Sequence, residues 1–591
     1  MTSTWIAENA IKAGGSSEAS QPNHHKFRGE YARFQEKMEE NFWNRQGEML
    51  HTLRQYFPAE QLESIAGELD QAGATLAAVQ PAANANDSRM NYPIHEPYDG
   101  IGRRIDEVRH HGGYAKVGDA IYGTDIVRRL TERGGLKEGF AFYFLASMLG
   151  EAGHNCPVIC NFETARLLEK HPEIPFAQEW IGKLLTPNYR DNLTASQFLT
   201  EVTGGSDVGA NATIAERDED GEWRITGEKW FTSNADADLN IITARYDTDR
   251  PGTKGLSVFL VPRTLPDGSH NSYTLRRLKD KLGTRALATA EIDYRGAWAI
   301  PLSDDAERGF NIVMSNFIHL SRMALSVAVI AMSTRAYDIA KMYAQERSVF
   351  GRTVIDHAVN RENLALMRSH TLTMQAGLWQ LIDLQDQVDL GVVDDTASTR
   401  YIRLMSSAVK AVSGEAAVDH CHHALDTFSG NGTIETFSPI PRLLRDAITQ
   451  ENWEGAHNAI RAQIMRDILR YDVDDAYLVV MRRFAGKMAS LEDTSMVADR
   501  LDRIEDAVKV IRASEDDDER HMLVTWLIRD MVNVAGWAAL LSEARDQEER
   551  DGGSVKRHAA NLFRMRYLEE GRPTYSQAER IAIDGVIEWT R

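Results

Sequence analysis

The chain reads as an α+β protein, mostly α: an N-terminal helical domain, a middle antiparallel β domain, a C-terminal helical bundle and an extra helical tail. Three observations predict this. Apolar residues between about 196 and 299 recur with a period near two, as half-buried strands require, while on both sides the spacing is three to four. From Gly309 to Phe350 there is no internal Pro or Gly, and a helix that long must pack against other long helices. Strand–helix alternation and a GxGxxG fingerprint are both missing, which excludes a doubly wound dinucleotide-binding sheet.

The elements follow in order. Residues 1–100 are a lead-in: a polar stretch (GGSSEASQPNHH), a charged helical run at 27–57, and an Ala- and Asn-rich segment at 74–87 that reads as a linker or short helix. Residues 101–194 form the N-terminal helical domain, with helical patterns at 123–133 and 139–149 and prolines 172, 175 and 187 punctuating its end. In the β domain, 195–300, residues 213–217 turn through 218–221 into 222–226, and further strands are predicted at 228–232, 240–246, 256–262, 273–278 and 290–294. The bundle, 301–470, opens with Phe310, Val313, Met314, Phe317, Leu320 and Leu325 at helical spacing and continues through 359–390, 397–428 and 452–469. Residues 471–591 are the helical tail, with an acidic run at 514–519.

Composition bounds the function. A chain of 591 residues holds about four domain-sized units, and 43% hydrophobic with 26% charged residues is an ordinary globular balance. A net charge of −20 argues against non-specific binding to nucleic acid or an anionic membrane. The tail has 25 acidic and 18 basic residues, net −7, and its late basic cluster (Lys556, Arg557, Arg564, Arg566, Arg572, Arg580) reads as a solvated helix face. The longest uncharged apolar stretches, at 323–334 and 531–542, run about 12 residues where a membrane span needs about 20. No secretory signal pattern opens the chain. Three cysteines, 156, 160 and 421, exclude a disulfide scaffold and point to a reducing, cytoplasmic setting. Cys156 and Cys160 with His154 fall short of a closed ligand set, so buried thiols are expected and no metal.

Four segments carry residue types suited to chemistry. FLTEVTGGSDVG (198–209) has a glycine pair flanked by hydroxyls, which either lets backbone N–H groups approach a phosphate or flavin or is a plain glycine turn. In KWFTSN (229–234), Trp230 and Thr232 stand two apart on a strand, and Trp230 either stacks on a planar ring or fills the core. RDAITQENWEG (445–455) offers Glu454 either as a solvated helix-start acid or as a general base in an apolar pocket. In ERSVFG (346–351), Arg347 either binds a phosphate or compensates a helix C-terminus.

Together with KLGTR (281–285) and FSGNG (428–432), these segments in this order resemble the acyl-CoA dehydrogenase flavoproteins over roughly residues 100–470. RIDEVR (104–109), EAGHNCP (151–157) and RLKDKLG (277–283) resemble the AidB-type, alkylation-response branch. The resemblance implies a four-helix bundle after the β domain, FAD between the two, and a homotetramer built as a dimer of dimers. It implies that Leu199 and Thr200 meet the flavin pyrimidine edge, Gly205 and Ser206 the pyrophosphate, Trp230 and Phe231 the isoalloxazine, and Thr232 its N5. Arg347, Phe350 and Gly430 would hold the adenosine half across a dimer, and Trp453, Ala456 and Asn458 would complete the cofactor site. Glu454 aligns with the catalytic base that takes the α-proton of an acyl-CoA while flavin N5 accepts the β-hydride, with electron-transfer flavoprotein as the onward acceptor. Departures from the family pattern are Ala456 for the Thr of Glu-Gly-Thr, Asp426 for a Gln, and Ser429 for a Gly. The alternative is an AidB-like flavin-containing stress or nucleic-acid-binding protein in which dehydrogenation is vestigial; the acidic tail disfavours nucleic acid as a partner.

Overall fold

The computed structural model describes residues 23–302, 317–488, 490–571 and 573–590. The lead-in is built of helices α1 (Asn23–Met38), α2 (Gly47–Arg54) and α3 (Ala59–Asn86). Residues 74–86, expected as a linker or short helix, are the second half of α3, because Leu62, Ile65, Leu69, Leu76 and Ala83 recur at helical spacing and are all buried. The hairpin β1 (Ile94–Tyr98) and β2 (Arg104–Arg109) follows, where helix was expected. Its bend is set by Asp106 at φ 46°, whose carboxylate receives His95 and Arg104. Helices α4 (Gly112–Tyr122), α5 (Ile126–Thr131), α6 (Leu136–Met148), α7 (Ala152–Lys170) and α8 (Ala177–Leu184) complete this part.

The β domain has seven strands: β3 (Ala195–Phe198), β4 (Ile214–Arg217), β5 (Trp223–Ser233), β6 (Leu239–Arg245), β7 (Leu256–Pro262), β8 (Tyr273–Leu278) and β9 (Thr289–Pro301). Strand β7 pairs with both β6 and β9, which closes the sheet on itself. Most pairings are antiparallel, but β3 and β4 both run parallel to β6, and β3 was not foreseen. The two strands expected at 222–226 and 228–232 are one strand, β5, whose pairing with β9 shifts register between Ile225 and Thr226 and again between Lys229 and Thr232 without breaking. Gly227 has φ 147°, and a Cβ there would meet Thr213 Cα at 2.7 Å.

The bundle comprises α9 (Ile318–Glu346), α10 (Ala358–Asp389), α11 (Thr396–Thr427) and α13 (His457–Tyr471), with the hairpin β10 (Ser348–Val349) and β11 (Arg352–Thr353) after α9 and the short α12 (Ile440–Gln450) before α13. The expected start of α9 at residues 309–314 lies outside the described residues. Helix α9 is long and apolar enough to cross a membrane, yet 94% of its most apolar window is buried inside the protein. It packs against α6, α10 and α11.

The tail, α14 (Val473–Ala485), α15 (Leu491–Ala513), α16 (Asp517–Asp551), α17 (Val555–Phe563) and α18 (Gln577–Val586), lies along α10 and α11. Gly377 of α10 and Gly536 of α16 let those helices touch: a Cβ on Gly377 would meet Gly536 Cα at 2.8 Å. The late basic cluster is not a solvated face. Lys556 is fully buried against Glu543, Arg557 pairs with Glu548 and Asp493, Arg564 with Glu569, and Arg566 with Glu362 and Glu579, while Arg580 donates to the Tyr575 carbonyl. Acids of the tail itself take up most of these cations and Glu362 of α10 reaches Arg566, pairings that charge runs alone do not reveal; Arg572 lies outside the described residues.

Lys556 also donates to Thr52 Oγ1 of α2 (2.9 Å), to which Gln375 of α10 donates as well (3.0 Å), so lead-in, bundle and tail share one buried polar knot. Lys556→Met leaves the Glu543 carboxylate buried without its cation, and the expected loss in denaturant unfolding is about 3–5 kcal/mol. Lys556→Met combined with Glu543→Leu recovers most of it; an unaltered midpoint in the single variant contradicts this assignment.

Candidate active site

The glycine-rich loop that follows β3 is anchored by one buried ion pair. Lys229 of β5 has a fully buried side chain and donates to Glu201 (2.7 Å), whose carboxylate also receives the N–H groups of Ala212 and Thr213. Burial lowers the Lys229 pKa to about 8, whereas for Glu201 burial works upward but Lys229 outweighs it and holds the carboxyl below its ordinary value. The Trp230 N–H donates to the Thr200 carbonyl (2.9 Å), so the loop and β5 move as one piece. Between these anchors the backbone is bare: Gly204 has φ 122°, Ser206 is exposed, and a Cβ on Gly205 would strike Thr200 Oγ1 at 2.5 Å.

The end of β5 separates the residues expected to act together. Trp230 is half-buried, with Lys279 Nζ 3.3 Å from its ring centroid. Thr232 is fully buried and donates its hydroxyl to the Ala290 carbonyl (2.8 Å), so it faces into the sheet. Phe231, 53% exposed, and Ser233, half-buried, share the opposite face. The Oγ atoms of Ser233 and Thr289 are 3.0 Å apart.

Glu454 stands in the turn between α12 and α13 at φ 54°, followed by Gly455 at φ 110°. Two cations from the bundle hold this turn by its carbonyl oxygens. Arg322 of α9 donates to the Glu454 carbonyl (3.1 Å), to Ser407 Oγ (2.7 Å) and to Gln463 Oε1 (3.0 Å). Lys410 of α11 donates to the carbonyls of Glu451 and Gly455, both at 2.7 Å. Among the described residues nothing donates to the Glu454 carboxylate, and its own N–H meets no acceptor. Burial raises the Glu454 pKa, against the pull of Arg322 and Lys410, and burial brings Lys410 down to about 7.

Glu163 of α7 connects this turn to the β domain. It is buried, accepts from Ser321 Oγ (2.7 Å) and Gln197 of β3, and sits beside the Ser321–Arg322 step that reaches Glu454. Burial pushes its carboxyl well up, with Glu454 adding to the rise. Sequence reasoning missed Glu163, Ser233, Arg322 and Lys410. For Glu163, Arg322 and Lys410 the available signal was a charge inside a largely apolar helical stretch, since a buried charge needs a partner; Ser233, an uncharged strand residue, carried no such signal.

The other expected cofactor residues form a second group. Arg347 pairs with Glu30 of α1 (3.1 Å) and lies over the rings of Phe27 and Tyr31. Asn431, next to exposed Gly430, donates to the Tyr31 and Tyr343 hydroxyls, so Arg347 and the Gly430 turn meet around α1. Phe350 is 97% exposed at φ 50°. Leu199 and Thr200 are half-buried beside the glycine loop, Trp453 is half-buried beside Glu454, and Ala456 and Asn458 are exposed at the start of α13, where Asn458 accepts from Arg461 (3.0 Å). Cys156 and Cys160 are free thiols, and among the described residues no group of three or more His, Cys, Asp or Glu is placed to hold a metal.

The sequence matches three family descriptions: Adaptive response protein AidB N-terminal domain over residues 35–191, Acyl-CoA dehydrogenase, middle domain over 196–296, and Acyl-CoA dehydrogenase, C-terminal domain over 307–469. Putative acyl-CoA dehydrogenase AidB of Escherichia coli is 32% identical over 394 residues, covering 64% of this chain and 70% of that protein. Acyl-CoA dehydrogenase family member 11 of Caenorhabditis elegans is 28% identical over 435 residues, covering 70% and 68%. The structure of C. elegans ACDH-11 in complex with C11-CoA has a TM-score of 0.80 at 24% identity, covering 92% of this chain and 94% of that one. A Bacillus anthracis acyl-CoA dehydrogenase complexed with FAD has a TM-score of 0.63 at 14% identity, covering 97% and 88%.

If Lys410 fastens the Glu454 turn, Lys410→Met speeds amide hydrogen exchange across residues 451–456 by about tenfold, as a local loss of roughly 1.4 kcal/mol requires. Exchange unchanged from the parent protein contradicts that role.

Proposed function

We propose that this chain, which belongs to the acyl-CoA dehydrogenase family, dehydrogenates an acyl-CoA or related acyl thioester at its α,β bond, with FAD as cofactor and Glu454 as base. The observation that carries the reading is the Glu454 carboxylate: unpartnered, raised in pKa, and presented by a turn whose carbonyls are already held by Arg322 and Lys410. A base so placed is matched to a weakly acidic C–H bond, because burial makes its charged form a stronger proton acceptor. The acyl-CoA complex of the nematode relative supports the substrate class.

FAD, when bound, supplies a two-electron acceptor. The residues fit it at two places: bare backbone at Gly204 and Gly205 with exposed Ser206 for the pyrophosphate, and the open face of Phe231 and Ser233 for the isoalloxazine. On this reading Ser233, rather than Thr232, offers the hydroxyl to the ring, since that of Thr232 is spent on Ala290. Glu454 takes the α-proton, its free N–H polarises the thioester carbonyl, and Arg322 and Lys410 keep the turn fixed while charge develops. At the adenosine end Arg347 is already neutralised by Glu30, and exposed Phe350 supports completion of the site by a neighbouring subunit in a dimer-of-dimers tetramer. Electron-transfer flavoprotein as acceptor and a cytoplasmic location belong to the same proposal.

The match to the AidB N-terminal domain favours a second reading, an adaptive-response flavoprotein with residual dehydrogenation. The acid-paired tail cations weigh against nucleic acid as its partner. A salt-sensitive gel shift with duplex DNA would support that reading, and no shift at low salt would count against it.

Glu454→Gln is expected to retain FAD while slowing exchange of the acyl-CoA α-proton with solvent deuterium by about 10²- to 10⁴-fold; exchange at the parent rate removes Glu454 from the mechanism. In the parent protein exchange rises with pH as Glu454 loses its proton, with a midpoint above the ordinary glutamate value of about 4.3, because burial raises its pKa. A midpoint at or below that value contradicts a buried base. Glu30→Gln frees the Arg347 guanidinium and is expected to slow FAD loss in dialysis; faster loss would mean that Glu30 holds Arg347 in its working position.

A further inference from the structure

We infer that Lys281 is a positioning residue: through Thr289 it fixes the direction of a hydroxyl chain, so that Ser233 presents its O–H outward as a donor to the bound flavin. The inference rests on the reading that the Phe231 and Ser233 face receives the isoalloxazine.

The geometry is a chain of three polar groups. Lys281 Nζ donates to the Leu287 carbonyl (2.7 Å), to Thr289 Oγ1 (2.9 Å) and to Thr284 Oγ1 (3.2 Å). An ammonium has three N–H groups, and these three acceptors use all of them. Thr284 gives its own hydrogen to the Gly283 carbonyl (2.7 Å), consistent with accepting from Lys281. Thr289 Oγ1 likewise accepts from Lys281, and its own hydrogen then goes to Ser233 Oγ, 3.0 Å away across the β5–β9 ladder. Ser233 has become the acceptor of that bond, so its remaining hydrogen is free on the open face of β5. A neutral lysine has two N–H groups and a lone pair. Thr289 can then donate back to the nitrogen, Ser233 donates to Thr289, and the outward donor is lost.

The surroundings suit a lysine that changes state near neutrality. Lys281 lines a cavity of about 160 Å³ with Tyr92, Pro93, Lys279, Arg285 and Thr289. Burial brings its pKa down to about 7, opposed by Cys156 of α7, Asp446 of α12 and Asp87 just after α3. The neighbouring cations are held elsewhere: Arg445 is paired with Asp87, and Lys279 with Glu291. Thr284, which shares Lys281, is tied by its N–H to Asp446 (2.6 Å).

The test is the midpoint potential of FAD bound to the full-length protein, measured on both sides of pH 7. An outward donor at N5 favours the oxidised ring, whose N5 accepts a hydrogen bond and carries a hydrogen of its own once reduced. Ser233→Ala is therefore expected to change the ratio of reduced to oxidised flavin at fixed poise by about tenfold toward reduced, equivalent to about 30 mV for a two-electron couple. Thr289→Val takes away the partner to which Ser233 could turn its hydrogen, so Ser233 donates outward at every pH and the potential is expected to keep the parent's low-pH value above pH 7. Lys281→Met removes the group that orients Thr289 and is expected to give the parent's high-pH value at every pH. If Ser233→Ala raises the potential while Thr289→Val and Lys281→Met match the parent at every pH, the role of Lys281 is overturned and the flavin face stands. If Ser233→Ala has no effect on potential or visible spectrum, both fall.

Discussion

Two buried cations that give their hydrogen bonds to backbone oxygens determine what the site can do. Arg322 arrives from the buried first turns of α9 and Lys410 from the middle of α11, where an isolated charge is costly, and each recovers that cost on the carbonyls around Glu454. Had either paired directly with the Glu454 carboxylate, that carboxylate would be stabilised as an anion and would be a poorer base. By holding the turn through its main chain they fix the carboxylate in space, and burial still raises its proton affinity against their pull. The left-handed backbone at Glu454 and Gly455 is part of the same arrangement, since it turns the chain so that carbonyls point at the cations.

That arrangement depends on helices that do not shift. Helix α9 carries Arg322 and is enclosed by α6, α10 and α11, while α16 of the tail crosses α10 at touching glycines. The knot of Lys556, Glu543, Thr52 and Gln375 ties lead-in and tail to α10. Glu163 performs a smaller version of this task, joining β3 to the start of α9. The glycine-rich loop, fixed by Glu201 and Lys229, thus stands in a constant relation to the turn at Glu454, as two-site chemistry on one substrate requires.

The order helix, sheet, helix was legible because hydrophobic period survives in sequence: the strands of the large sheet lie between Ala195 and Pro301, and long helices stand on both sides. Strands 256–262 and 273–278 were legible to the residue. The second half of α3 was not, because Pro81 and the asparagines that follow it argue against helix and the burial that decides the matter comes from tertiary contacts. Hairpin β1–β2 was missed because its charged residues bond locally and mask the alternation. At the site, Glu454 and the glycine loop stood out as motifs. Thr232 was preferred over Ser233 because spacing from Trp230 ignores the bulge between Lys229 and Thr232. The tail cations read as a solvated face because a charge run does not show which acid folds back onto which cation.

The central claim is that an FAD-loaded chain abstracts the α-proton of an acyl-CoA at Glu454 and oxidises the α,β bond. The most direct measurement is anaerobic titration of the FAD-loaded protein with saturated acyl-CoAs of graded chain length, following the visible absorption of the flavin. The account predicts bleaching by at least one chain length, with one enoyl-CoA formed per flavin. Bound flavin that stays unbleached across the whole series would contradict it.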